Sequence, residues 1–269
     1  MRPNVTERSG ASLLGVMPPS VTILVTSYNQ AEFVEECVIS ALRQTEPCAV
    51  IVVDDGSTDG SPEIAQACGV EVHRLAHRGA LLTFRSAVDL VETAFYCLLN
   101  ADDALEPNYV AETLPYMADP SVGFVYTGWR NVGALDRIVP ARRFDARELL
   151  FGNYVHAASL TRKQAYDSVG GYDLAFSDFY EDWALWLRMS QSGWQGHPVD
   201  KPLLRYRRHA APSRNPTSPW ALQRARWRMA LRHPGWYGPA GFRRLAASSA
   251  KTAVRHSLNR VLASIRRSA

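Results

Sequence analysis

Two adjacent carboxylates, Asp102 and Asp103, follow the apolar run Phe95–Leu99 in the turn Asn100-Ala101-Asp102-Asp103. Paired negative charges at a strand end repel unless a cation or another positive partner neutralises them. Hard divalent ions take one or two carboxylates and complete their shell with phosphate oxygens, so the turn is a candidate site for Mg²⁺ or Mn²⁺. The plainer alternative is that these aspartates only terminate a strand and cap a helix. A second acidic turn, Asp54-Asp55-Gly56-Ser57, follows Val50–Val53. A carboxylate there can accept from the imide N–H of a uracil-type base or from ribose hydroxyls, or it can simply hold a tight turn. A third acidic pair, Glu181-Asp182, precedes Trp183, Leu185, Trp186, Leu187 and Met189. Two acids at a helix start stabilise its dipole. Flanking tryptophans also desolvate a carboxylate and raise its basicity, as a general base requires.

The elements around these residues are legible from periodicity. Val21–Thr26 is a β-branched run that ends in the turn-prone Ser27-Tyr28-Asn29, and Glu32–Arg43 carries apolar residues at helical spacing. Val50–Val53 predicts a second strand, and Ser61-Pro62-Glu63 predicts a helix start with a capping serine. Val70–Leu75 predicts a third strand, Leu81–Val91 a helix, and Phe95–Leu99 a fourth strand. Alternation at this spacing predicts right-handed βαβ units and a mostly parallel central sheet flanked by helices. Ligands of such sheets sit beyond the carboxyl ends of the strands, where Thr26–Asn29, Asp54–Ser57 and Asn100–Asp103 all fall. The second half is less regular: a strand at Val122–Tyr126, helices near Arg147–Leu150, Lys163–Val169 and Trp183–Ser190, and an extended Val199–Arg207.

The chain has 269 residues, 46% of them hydrophobic and 21% charged, enough for one substantial core. Its net charge of +4 conceals an asymmetry: sixteen of the thirty Lys/Arg and none of the twenty-six Asp/Glu lie from Lys201 onward. An acidic body is thus followed by a tail drawn to anionic partners. Helical stretches are expected near Trp220–Arg232 and Phe242–Arg266. In the second, Val254, Leu258, Val261, Leu262 and Ile265 recur at helical spacing, with Arg255, Arg260, Arg266 and Arg267 elsewhere on the turn. Residues 242–267 could lie on an anionic membrane surface, or pack on the body with their arginines against its acids. Nucleic acid is excluded as a partner, because no recognition motif accompanies the charge. No apolar run reaches the roughly 18–20 residues of a spanning helix. Met1–Ser20 reads as a loose leader and not a secretory signal. Cys37, Cys48, Cys68 and Cys97 lie far apart without metal-type pairing and read as reduced thiols of a cytoplasmic protein. The implied division is a flexible leader at 1–19, a catalytic domain at 20–211 and a basic helical tail at 212–269.

In this order the segments resemble the inverting glycosyltransferases of family 2, which have the Rossmann-like GT-A fold. The resemblance runs from about Val21 to His209. Thr26-Ser27-Tyr28-Asn29 and Ser40–Thr45 are similar to the family's first strand and helix, and Val52–Ser61 (VVDDGSTDGS) to its second signature. Asn100–Pro107 (NADDALEP) resembles the metal-binding Asp-x-Asp region, Gly170–Trp194 the acceptor-side segment with its Glu-Asp, and Tyr206-Arg207-Arg208-His209 the closing Arg-x-x-His. The resemblance implies transfer of a sugar from a nucleotide-diphosphate sugar, UDP-linked, to a hydroxyl of a glycan or lipid-linked acceptor in cell-surface polysaccharide or glycolipid synthesis. It implies that Thr26, Tyr28, Asp54 and Asp55 hold the nucleotide, with Arg85, Asn100, Ala101 and Asp102 along the donor. Asp102, helped by Asp103 and His209, would hold a divalent cation, Mg²⁺ or Mn²⁺. Asp182, beside Glu181, would be the general base. A location at the inner face of the cell membrane fits this reading. The chain departs from the family pattern at Asn100, where aspartate is usual, at Phe84-Arg85-Ser86 and at His77. Asn100 motivates one alternative, a non-catalytic nucleotide- or glycan-binding module of the same fold. A nucleotidyltransferase is the other, but Ser27-Tyr28-Asn29-Gln30 lacks the Gly-rich, Lys-containing phosphate loop it would need.

Overall fold

The computed structural model describes residues 19–176, 180–209 and 219–268, with side chains given as far as Val254. The leader expected at 1–19 lies, but for its last residue, outside the described residues. So do the side chains of Leu258, Val261, Leu262 and Ile265.

Strand β1 (Val21–Ser27) is buried along its whole length and pairs in parallel with β2 (Ala49–Asp54) on one side and β4 (Phe95–Asn100) on the other. Beyond β2 lies β3 (Glu71–Arg74), also parallel. The order β3-β2-β1-β4 reverses direction between β1 and β4, which opens a crevice at their carboxyl ends. Helices α1 (Val34–Leu42) and α2 (Ser61–Ala67) cover one face, and α3 (Ala80–Asp89) covers the other. Each central strand therefore supplies apolar side chains to two cores by alternation. Cys97 and Leu99 face α1, whereas Tyr96 and Leu98 face α3.

The second half extends the sheet. After the two-residue β5 (Ala104–Leu105) and α4 (Tyr109–Thr113) comes β6, which runs from Val122 to Gly133, well past the Tyr126 expected from its apolar run. The polar end persists as strand because β9 (Gln195–Arg208) pairs with it in parallel throughout. The short β7 (Arg137–Val139) folds back on β6. α5 (Ala146–Leu149) comes next, and then β8 (Leu160–Arg162) enters antiparallel between β4 and β6, leading into α6 (Lys163–Ser168). α7 (Glu181–Gln191) packs on the α3 face. Trp186 stacks on Phe124 near the start of β6 (centroids 4.8 Å apart), and α7 leaves through Trp194 into the start of β9. The helix therefore runs against β6, and its first residues, Glu181 and Asp182, point to the carboxyl ends of the strands.

One helix start differs from expectation. Gly60, at φ 87°, occupies the cap position, and Ser61 is the first helical residue. The Ser61 hydroxyl is not free to cap, because it is bonded to Asp59 and accepts the Gln30 N–H at 2.8 Å.

The C-terminal region is two helices, α8 (Pro219–Arg232) and α9 (Pro234–Ser268), the latter interrupted at Gly238. Ala225, Met229, Ala230, Tyr237 and Leu245 are buried in the same core as Tyr154 and Trp183. The Tyr237 hydroxyl donates to the Leu150 carbonyl at 2.8 Å, and Arg244 and Arg232 pair with Glu148 and Asp173 of the body. Arg244 and Arg232 thus meet acids of the domain, whereas Arg255, Arg260, Arg266 and Arg267, on which the two expectations for the tail rest, have side chains outside the described residues. No described helix is long and apolar enough to cross a membrane.

If the tail helices are part of the folded unit, Met229→Ala will destabilise the whole domain by about 2–5 kcal/mol, as a core truncation does. Leu231→Ala, at a side chain 69% exposed, will cost less than about 0.5 kcal/mol. Denaturant midpoints of the two variants check this, and equal small effects would mean a tail that only rests on the surface.

Candidate functional site

The loops after β1 and β2 are tied to each other before any ligand is considered. Asn29, in the left-handed region at φ 51°, donates its N–H to Ser57 Oγ (2.8 Å) and accepts the Thr58 N–H on Oδ1 (2.9 Å). The Ala31 N–H reaches Asp59 at 2.9 Å. Much of the Ser-Thr-Asp-Gly-Ser run thus serves to latch two loops. Asp54, fully buried, accepts from the N–H groups of Gly56 (3.1 Å) and Ser57 (2.8 Å) and from the Ser57 hydroxyl. Its carboxylate is spent on its own turn, the alternative already visible in the sequence.

Asp55 reaches farther. Its two oxygens accept the N–H groups of Arg78 and Gly79, each at 2.9 Å, at the entrance to α3. His77 Nδ1 lies 3.0 Å from both Asp55 Oδ2 and the Asp55 carbonyl. The His77 ring stacks on Tyr28 (centroids 4.1 Å apart, 21° between planes), so these two rings stand together beside a buried carboxylate. Gly56, at φ 78°, permits the approach: a Cβ there would lie 2.8 Å from the His77 nitrogen.

Thr26 sits opposite Asn100 in the β1–β4 pairing, at the crevice. The hydroxyls of Thr26 and Ser27 are buried and have no hydrogen-bond partner among the described residues. Such orphaned groups are uncommon in a closed core and mark a place where a ligand would supply partners. Ala101 is buried, and its N–H donates to the Thr26 carbonyl at 3.0 Å, which fixes the acidic turn after β4.

In that turn the two aspartates divide their tasks. Asp103 is buried and accepts the Arg207 N–H at 2.8 Å; burial, then the neighbouring Asp102 charge, push its carboxyl well above the ordinary range. Asp102 stays partly open, 2.8 Å from His209 Nε2, the two side chains 25% and 28% exposed. Arg207 joins the group: its Nε donates to the Asp102 carbonyl (3.0 Å), its fork reaches Glu36 (2.6 Å), and its guanidinium lies 4.5 Å above the Phe33 ring. A carboxylate oxygen and an imidazole nitrogen at this spacing are a donor set that fits Mn²⁺ or Mg²⁺ completed by phosphate oxygens. Among the described residues no cluster of three His, Cys, Asp or Glu could hold a metal. Of the three residues expected from sequence, Asp102 and His209 lie side by side and partly open, whereas Asp103 is enclosed and accepts the Arg207 N–H of β9.

Asp182 opens α7. Tyr180 before it is left-handed (φ 70°), a conformation costly for a bulky residue and one that sites tend to retain. The Asp182 carboxylate accepts from the Trp183 N–H (2.7 Å) and from the Asn153 side-chain amide (3.0 Å). Burial, then the charge of Glu181, push its pKa up to about 7 against those donors. Asn153 gave no signal in the sequence, since an isolated asparagine in a loop follows no pattern. Among the described residues Arg85 pairs with no acid: it donates to the Tyr172 carbonyl at 3.4 Å, and the buried Tyr172 feels the Asp182 and Glu181 charges. The structure thus places Asp55, Arg85 and Asp182 along the α3–α7 face, with Asp102 and His209 at the crest between β1 and β4.

The family model described as glycosyl transferase family 2 matches residues 22–182. The chain is 24% identical over 200 residues to the putative teichuronic acid biosynthesis glycosyltransferase TuaG of Bacillus subtilis, covering 70% of this chain and 79% of that one. It spans 40% and 17% of two other curated relatives. Among solved structures, S. aureus TarS 1-349 in complex with UDP-GlcNAc superposes with a TM-score of 0.66 at 14% identity, over 79% of this chain and 66% of that one. The mannosyltransferase PcManGT of Pyrobaculum calidifontis, in complex with GDP-Man and Mn²⁺, superposes at 0.62 and 20% identity, over 88% and 70%. At these identities the structural likeness bears on the fold.

The raised pKa of Asp182 has a signature in stability. An aspartate that binds its proton more tightly folded than unfolded favours the folded state while protonated. That contribution is full below the unfolded value of 3.8 and is lost as pH rises through about 7. Asp182→Asn will therefore gain on the parent protein between pH 5 and pH 8, by about 1–3 kcal/mol. Asn153→Ala, which removes a donor to the carboxylate, will move the titration upward. Thermal melts across pH check both, and a pH-independent difference would place Asp182 in open solvent.

Proposed function

The chain belongs to glycosyl transferase family 2, and from that premise we propose that this glycosyltransferase moves a sugar from a UDP-linked donor to an acceptor hydroxyl with inversion, in the synthesis of a cell-surface glycan. The reading is carried by the Asp102–His209 pair at the β1–β4 crevice. In this reading Tyr28, His77 and Asp55 border the nucleotide, and the unpartnered hydroxyls of Thr26 and Ser27 face the donor. Asp54 shapes the loop without touching the ligand. Asp102 and His209 hold a divalent cation, which when bound supplies a Lewis-acid counter-charge for the diphosphate.

Asp182 takes the proton from the acceptor hydroxyl as that oxygen attacks the anomeric carbon. Attack comes from the side opposite the leaving diphosphate, and a single displacement without a covalent enzyme intermediate inverts the configuration. A carboxylate with a pKa near 7 suits the task, since it is both substantially ionised and basic at neutral pH. Asn153 orients it, and Trp183, whose indole N–H donates to the Leu149 carbonyl at 2.6 Å, fixes the helix start.

Asp182→Asn is expected to lower kcat by about 10²–10⁴-fold while UDP binding stays unchanged. Asp102→Ala and His209→Ala are expected to weaken Mn²⁺-dependent UDP binding. Steady-state rates with a panel of nucleotide sugars, and calorimetry with UDP with and without Mn²⁺, check both. Undiminished turnover in Asp182→Asn would remove the assigned base. Turnover by the parent should also rise with pH through about 7, as Asp182 loses its proton.

A further inference from the structure

A cavity of about 270 Å³ lies where α5 and the loop after it meet α8 and α9. Arg142, Arg226 and Arg244 reach it from three separate segments, with Glu148 and Ser248 beside them. Arg244 is engaged: its fork grips Glu148 at 2.9 and 3.0 Å, and its guanidinium lies 3.9 Å over the Phe151 ring. Arg142 lies 4.8 Å over the Tyr154 ring. Arg226 donates one N–H to Ser248 Oγ at 3.1 Å, but its Nε is buried without a hydrogen-bond partner among the described residues. The titrating groups that act on it are Tyr180, Arg244 and Tyr237, none of them a carboxylate. Three guanidiniums thus face Glu148 in the cavity wall, with Asp145 acting on Arg244 as the second acid, and a buried guanidinium N–H lacking an acceptor is costly unless a ligand supplies one.

The cavity adjoins the base. Gly152 lines it, and the next residue, Asn153, donates to Asp182. Tyr180, two residues before Asp182, is an electrostatic neighbour of Arg226. We propose that this cavity is an acceptor subsite that binds a phosphate group of the acceptor and so presents a nearby hydroxyl to Asp182. The assignment rests on the transferase reading and names its acceptor class. A planar carboxylate is satisfied by one fork, as Glu148 is by Arg244, whereas a tetrahedral phosphate accepts donors from several directions, which suits guanidiniums arriving from separate segments. The phosphate can be a diester within a polymer or a terminal phosphate on a carrier.

The test uses the full chain with Mg²⁺ and saturating UDP, so that the donor side is filled. Dimethyl phosphate and methyl phosphate, stand-ins for the two sources, are titrated by thermal denaturation, since a ligand that binds only the folded state raises the midpoint. Binding of either by the parent, weakened tenfold or more in Arg226→Gln and severalfold in Arg142→Gln, with the UDP-induced shift retained as evidence of folding, supports the subsite. Dimethyl phosphate binding points to the diester, and methyl phosphate binding to the terminal group. No shift with either compound, or equal shifts in parent and variants, overturns it. A parent that fails to respond to UDP instead defeats the transferase reading, a different result from UDP binding without phosphate binding.

Discussion

Buried carboxylates crowd the carboxyl edge of this sheet, and backbone N–H groups, from their own turn or from other segments, make their burial tolerable. Asp54 is met by Gly56 and Ser57, Asp55 by Arg78 and Gly79, and Asp103 by Arg207. An ionised carboxylate removed from water without such donors would be too costly to keep. Each of these bonds also fixes a piece of backbone: the β2 turn, the entrance to α3, and the pairing of β9 alongside the β4 turn. The same interactions that neutralise the edge therefore set the walls of the crevice. Asp102, His209 and Tyr28 stay partly open within it.

The division between spent and open acids explains how much the sequence disclosed. Strand and helix order through Asn100 was legible, because alternation and turn residues act locally there. The acidic clusters were legible as a set, because a parallel sheet must gather strand ends. Their individual roles were not. Asp54 and Asp55 are adjacent and chemically identical, and only the fold shows that one closes its own turn while the other anchors α3. Asp103 and Asp102 are likewise adjacent in sequence, and only β9, from a hundred residues away, distinguishes them by enclosing Asp103. Asn153 and His77 acquire meaning through contacts that no periodicity encodes.

The basic tail teaches the same lesson about scale. Its charge pattern allowed a membrane surface or the protein's own acids as the partner, and composition alone weighs these equally. Packing places the described part: buried Met229, Tyr237 and Leu245 join the principal core, and Arg244 and Arg232 find Glu148 and Asp173, while Arg255, Arg260, Arg266 and Arg267 lie beyond the described side chains. The tail also builds one wall of the arginine-lined cavity, through Arg226, Arg244, Leu245 and Ser248.

The parallel pairing of β6 with β9 has a consequence in time. These strands begin at Val122 and Gln195, and β9 carries Arg207 and then His209 to the Asp102-Asp103 turn. During synthesis the ribosome must deliver the entire intervening stretch before either acid can be clasped. A nascent chain that has already built its first four strands still presents both aspartates unneutralised. Distant parallel pairings also close slowly, because the entropy of a long loop is lost before contacts form. A chain stalled before Arg207 therefore lacks both contacts that β9 brings to this turn, and the tail helices that complete the core are still to come.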